Sequence, residues 1–109
     1  MCGIAAFSLS PEDAASVDPC RLARCLLSAL VVRGRDASGA AWTADGDVWF
    51  HKQPLPGPRY APSLPMDPTT QTAILHTRAA TNGDPADNVN NHPHSLPGVT
   101  GVHLSLIHI

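Results

Sequence analysis

Six of the eleven prolines fall between positions 54 and 68, and that run limits what the chain can become. Proline fixes φ and has no backbone N–H, which bars it from an interior strand or the middle of a helix. Residues 54–70 are therefore expected to be a long loop over the surface. Ahead of it, the apolar run Gly-Ile-Ala-Ala-Phe-Ser over residues 3–8 fits a buried strand. Asp18-Pro19 has the form of a helix N-cap followed by proline at the first helical position. Leu22, Cys25, Leu26, Ala29 and Leu30 then recur at helical spacing, with Arg21, Arg24 and Ser28 facing away and Gly34 as the stop. Residues 40–43 and 48–52 are apolar or aromatic runs around Ala44-Asp45-Gly46-Asp47, and Asp-Gly between such runs predicts a hairpin. Behind the prolines, residues 72–77 and 98–103 read as further strands. This order predicts an α+β layered domain.

With 109 residues the chain is at most one domain. Its net charge of −2 and scattered Lys and Arg argue against a nucleic-acid or anionic-membrane surface. Hydrophobic residues make up 43% and charged residues 15%, a balance that suits a packed core. No apolar run is long enough to span a bilayer, and no signal-peptide pattern opens the chain, so a cytoplasmic location is expected. Cys2, Cys20 and Cys25 are odd in number and form no CxxC pair, which indicates neither a disulfide framework nor a zinc knuckle. Cys20 and Cys25 are expected to pack on the helix as small apolar residues.

Cys2 is the candidate nucleophile, although Met1-Cys2 taken alone reads more simply as a start codon that happens to precede a cysteine. A small second residue normally permits removal of Met1, which would leave thiol and α-amino group on one residue. An α-amino group titrates near pH ~8 and can serve as a base at neutral pH. A thiol beside such a base is an activated nucleophile. A competing reading is metal binding by His92 and His94, two apart on an extended segment, joined by His76 and His103. No acidic or cysteine partner sits at familiar spacing, so no metal is expected. His51 reads as a surface residue, and Arg78 taken alone as an exposed arginine at a strand end.

Four segments resemble a known family. They are Met1-Cys2-Gly3-Ile4, Arg33-Gly34-Arg35-Asp36-Ala37-Ser38-Gly39, the run from His76-Thr77-Arg78 through Thr81-Asn82-Gly83-Asp84-Pro85, and Asn91-His92-Pro93-His94. In this order, over almost the whole chain, they resemble the glutaminase domain of class II glutamine amidotransferases, which are N-terminal-nucleophile hydrolases. The wording is nearest the glutamine–fructose-6-phosphate aminotransferase type, and the amidophosphoribosyltransferase domain is a more distant match.

The resemblance implies a four-layer αββα sandwich, of which this chain would be the truncated N-terminal part. It implies hydrolysis of the glutamine side-chain amide by Cys2, needing no cofactor, with ammonia passed to an acceptor domain or subunit downstream. Arg78 would hold the α-carboxylate of L-glutamine, and Thr81, Asn82 and Gly83 would line the pocket. Arg33 and Gly34 would flank the nucleophile, the glycine allowing close approach to the Cys2 amine. Asp36 reads either as a structural acid of that turn or as an aspartate bonded to its own backbone. His76, His92 and His103 fall in the matching segments as supporting residues. A tryptophan and a histidine common in the family are here Ala79 and Asn82.

The end departs from the family. Leu104 and Ser105 stand where an asparagine and glycine would form the oxyanion hole, whose donors are each worth on the order of a hundred- to a thousandfold in rate. Leu-Ser-Leu-Ile-His-Ile is what a transposon-end adapter of sequencing libraries encodes. Residues 1–103 are therefore expected to be the genuine domain portion and 104–109 read-through, the alternative being a short apolar strand. A chain cut there is expected to fold poorly and to lack activity. A non-catalytic relative of the same fold, or a hydrolase of another amide, is the other reading.

Overall fold

The computed structural model describes residues 2–80 and 84–102. Met1, Thr81, Asn82, Gly83 and residues 103–109, with the expectations resting on them, lie outside the described residues. The chain runs through β1 (Gly3–Ser8), α1 (Pro11–Ser16), α2 (Pro19–Ala29), β2 (Ala37–Ala44), β3 (Asp47–Gln53), α3 (Gly57–Tyr60), β4 (Thr72–Arg78), β5 (His94–Leu96) and β6 (Val99–Gly101), with single 3-10 turns after α2, after α3 and at Asn88–Asn90.

Asp18 caps α2 as expected, its Oδ1 accepting from the backbone N–H of Cys20 at 3.0 Å and of Arg21 at 3.2 Å. The buried face of α2 is rotated from the expected one. Pro19, Ala23 and Leu27 are buried, while Cys25 and Ala29 are exposed. Ala23 lies in the buried cluster with Ala40, Ala73 and Leu75, where small side chains let helix and sheet approach closely. Cys25 therefore does not pack inward. Cys20 is half-buried, its Sγ 3.7 Å from the carbonyl oxygen of Leu64.

β2 and β3 form the expected hairpin in register Trp42↔Trp49, and Asp45 and Gly46 both take positive φ (53° and 80°), as a two-residue turn of this kind requires. The proline-rich segment is not a surface loop. It folds into α3 and a 3-10 turn (Ala61–Ser63) and buries Tyr60, Ala61, Leu64 and Met66. Pro58 and Pro62 sit in first turns, where the missing N–H would have no helical partner anyway.

β4 is central in an antiparallel sheet of order β1-β4-β2-β3. One face carries Ala40, Trp42, Ala44, Ala73 and Leu75 against Leu27 of α2 and Tyr60, Leu64 and Met66 of the proline-rich segment. Over the opposite face lies the segment ending in Asn91-His92-Pro93, with a cis His92–Pro93 peptide, followed by the β5–β6 hairpin. The fold is mixed α and β with antiparallel sheets, as the order of elements predicts. Among the described residues, no helix is long and apolar enough to cross a membrane.

Candidate active site

Antiparallel pairing of β1 with β4 sets Gly3 against Thr77, so one residue further the register places Cys2 beside Arg78. Cys2 is buried there. Its Sγ accepts from the Ala79 N–H at 3.4 Å and lies 3.7 Å from the Ala79 carbonyl oxygen. β2 pairs with the other edge of β4, Ala37 against Arg78, which brings the segment before β2 to the same end of the sheet.

That segment holds three of the expected site residues. A Cβ on Gly3 would lie 2.9 Å from the Cβ of Arg33, so Arg33 stands directly against the residue that follows Cys2. A Cβ on Gly34 would meet the backbone of Arg78 and Thr77 at 2.5 and 2.6 Å. Glycine is required at position 34, but by the backbone of β4 rather than by the amine of Cys2. Asp36 donates its backbone N–H to the Arg78 carbonyl at 2.9 Å and accepts from the Ala80 N–H through Oδ2 at 2.6 Å. Asp36 is thus a clamp on the chain leaving β4, not an aspartate bonded to its own backbone. Thr77 anchors the same end by donating from Oγ1 to the Leu30 carbonyl at 3.0 Å.

Arg78 is buried, not exposed at a strand end. Its Nη1 donates to Oδ1 of Asn91 at 3.0 Å. Asn91 has no exposed surface, and its Nδ2 donates to the Pro85 carbonyl at 2.8 Å and to Asn88 Oδ1 at 3.0 Å. Lys52, on the same sheet face, donates from Nζ to the carbonyls of Asn91 at 2.8 Å and Pro93 at 3.1 Å. Burial pushes the Lys52 pKa below its ordinary 10.5, because desolvation disfavours the ammonium.

His76 and His92 are buried and stacked, ring centroids 3.9 Å apart at 19°, with His94 following at 4.4 Å from His92 and tilted 54°. Gly39 makes this possible, since a Cβ there would collide with the His92 carbonyl. Among the described residues, no group of three or more His, Cys, Asp or Glu could hold a metal ion. His51 is half-buried rather than a surface residue. Its Nδ1 is 2.9 Å from the Tyr60 hydroxyl, which donates to the His51 carbonyl at 2.9 Å.

No family model matches the chain. No solved structure matches it either. Among curated proteins, the glutamine–fructose-6-phosphate aminotransferase (isomerizing) of Corynebacterium diphtheriae is 36% identical over 104 residues, covering 90% of this chain and 16% of that protein. The protein of the same name from Corynebacterium efficiens is 33% identical over 110 residues, covering 99% of this chain and 17% of its own length. That from Chlamydia trachomatis is 38% identical over 68 residues, covering 62% and 11%. The chain is related to the glutamine–fructose-6-phosphate aminotransferases. It spans about a sixth of the length of the Corynebacterium relatives it matches.

Against this relationship, the structure brings Cys2, Arg33, Gly34, Asp36 and Arg78 to one end of the sheet and stacks His76 on His92 nearby. Thr81, Asn82, Gly83 and His103 lie outside the described residues. Asn91 and Lys52 were missed by the sequence reading as members of the cluster. Asn91 lies inside a motif whose recognisable residues are its histidines. Lys52 carried no signal beyond its place on the hairpin strand.

Proposed function

We propose that this chain forms the glutaminase portion of a class II glutamine amidotransferase, an N-terminal-nucleophile hydrolase acting on the side-chain amide of L-glutamine. The observation that carries the reading is the convergence of Cys2 and Arg78 at one end of β1 and β4, within a sequence related to glutamine-dependent aminotransferases. After loss of Met1, the Cys2 thiol attacks the amide carbon while its α-amino group takes the thiol proton. A C–S bond forms, the C–N bond breaks, and the proton passes to the leaving nitrogen, which departs as ammonia. Water then cleaves the γ-glutamyl thioester and restores the thiol. Arg78 holds the substrate α-carboxylate, for which a planar guanidinium offers paired donors. Thr81, Asn82 and Gly83 line the pocket, and the ammonia goes to an acceptor region elsewhere in the protein.

In the full-length protein, Cys2→Ala lowers glutamine hydrolysis by on the order of 10⁴-fold or more and leaves the fold intact by circular dichroism. Mass spectrometry of the wild type finds Cys2 as the first residue, and inserting a bulky residue after Met1 abolishes activity. Hydrolysis that survives Cys2→Ala removes the thiol from its role. A second reading, a relative that keeps the fold without the chemistry, is favoured by Leu104 and Ser105 at the oxyanion-hole positions. Sequencing the source DNA across codon 103 decides between them. An Asn-Gly pair there supports the enzyme, and a genuine Leu-Ser supports the non-catalytic relative.

A further inference from the structure

A guanidinium that receives a carboxylate must be held in one orientation without losing its charge. A protein carboxylate beside it would fix the orientation but compete with the substrate for that charge. At Arg78 an oxygen that fixes Nη1 belongs to the amide of Asn91, a neutral acceptor. The orientation of that amide is itself determined. Its Nδ2 faces two acceptors, the Pro85 carbonyl and Asn88 Oδ1, so a flipped amide would point NH₂ at the guanidinium and a carbonyl at two oxygens. The backbone of Asn91 is fastened as well, by Lys52 Nζ on its carbonyl, and Asn88 Nδ2 returns a bond to the Lys52 carbonyl at 2.9 Å. Lys52 of β3, Arg78 of β4, and Asn88 and Asn91 of the segment over the sheet are thus joined in one network that ends on the guanidinium.

Building on the glutaminase reading above, we infer that Asn91 is a positioning residue that aims Arg78 at the substrate α-carboxylate, and so sets selectivity for an amide substrate that carries a free carboxylate. Asn91 does not touch the substrate, and its influence runs through Arg78.

The test compares L-glutamine with its α-carboxamide, in which a neutral amide replaces the carboxylate, in the full-length wild type, Asn91→Ala and Asn91→Asp. Asn91→Asp keeps the shape and the oxygen facing Arg78 but sets a charge against it and replaces the Nδ2 donor to Pro85 and Asn88 by an oxygen. The expected result is a rise in KM for glutamine of about tenfold in Asn91→Ala and larger in Asn91→Asp, with kcat within about twofold and KM for the carboxamide within about twofold of wild type. Partial unfolding does not imitate this pattern, because losing active molecules scales kcat and leaves both KM values alone. A glutamine KM unmoved in both variants, or equal shifts for the two substrates, overturns the inference. A wild type that hydrolyses neither substrate overturns the glutaminase reading itself, and is told apart because no substitution is needed to see it.

Discussion

Gly39 illustrates how much of the site depends on one absent side chain. It sits on β2 where the His92 carbonyl and the Pro93 ring press against the sheet, and a Cβ there would occupy the place of that carbonyl. Gly39→Ala must therefore displace the segment that carries Asn91, His92 and Pro93. Overpacking of this kind costs about 1–3 kcal/mol, and backbone in the way puts this site at the upper end. Chemical denaturation should show that loss, while Gly101→Ala, with open space around its Cβ, should change stability by less than about 0.5 kcal/mol. Tyr60 makes a different demand. Burial raises its pKa well above the ordinary 10.0, since the phenolate would lose its water. Above pH 10 the unfolded chain releases the Tyr60 proton while the folded chain keeps it. The folded state then binds more protons, and stability falls as pH climbs through and beyond 10.0. Melting temperatures measured across that range should decline in the wild type and decline less in Tyr60→Phe. At neutral pH the same variant loses about 1 kcal/mol with its bond to the His51 carbonyl.

Among the elements, α2 separates what local sequence encodes from what it does not. Its start is local, because Asp18 reaches backbone donors only two and three residues ahead. Asp18→Ala should cost about 1 kcal/mol by thermal denaturation, and Asp18→Ser should recover most of it. The β2–β3 turn is local in the same way, two positive-φ residues that Asp45 and Gly46 tolerate. The face that α2 buries is not local. Cys25 and Ala29 are as apolar as Ala23, and only the flat, small-residue surface of Ala40 and Ala73 selects the stripe through Ala23 and Leu27. The proline-rich segment departs from the expected surface loop for a related reason. The rule against proline applies to helix interiors, and α3 is too short to have one, while Tyr60, Leu64 and Met66 gain from reaching the core. The candidate site divides likewise. Cys2, Arg33, Gly34, Asp36 and Arg78 were visible as motif residues, whereas the Lys52–Asn91 and Arg78–Asn91 contacts join positions 39 and 13 residues apart and exist only once β3 and β4 share a sheet.

At the scale of the whole molecule, the two faces of the sheet are unequally covered. The face toward α2 and the proline-rich segment carries the core cluster, with Trp49 of β3 left half-exposed at its edge. On the other, the Asn91–Pro93 segment lies against Gly39, His76 and Arg78. Beyond it Ile4, Val48 and Phe50 remain exposed, the last two by 60% and 50%. A cleft of about 200 Å³ there runs between Thr100 of β6 and Ala41, Thr43, Val48 and Ile74 of the sheet. Val48 and Phe50 also lie on β3, which among the described residues is an edge strand of this sheet, so exposed apolar area and an open strand edge coincide. That combination favours association between copies. Expressed by itself, the 109-residue chain should elute as oligomers or aggregates in size-exclusion chromatography and take up a hydrophobic dye. Val48→Lys with Phe50→Glu should shift it toward monomer and reduce the dye signal without loss of secondary structure, since both side chains are already half in solvent. A wild-type chain that is monomeric and dye-silent would mean that the exposed face is covered in solution by the chain itself.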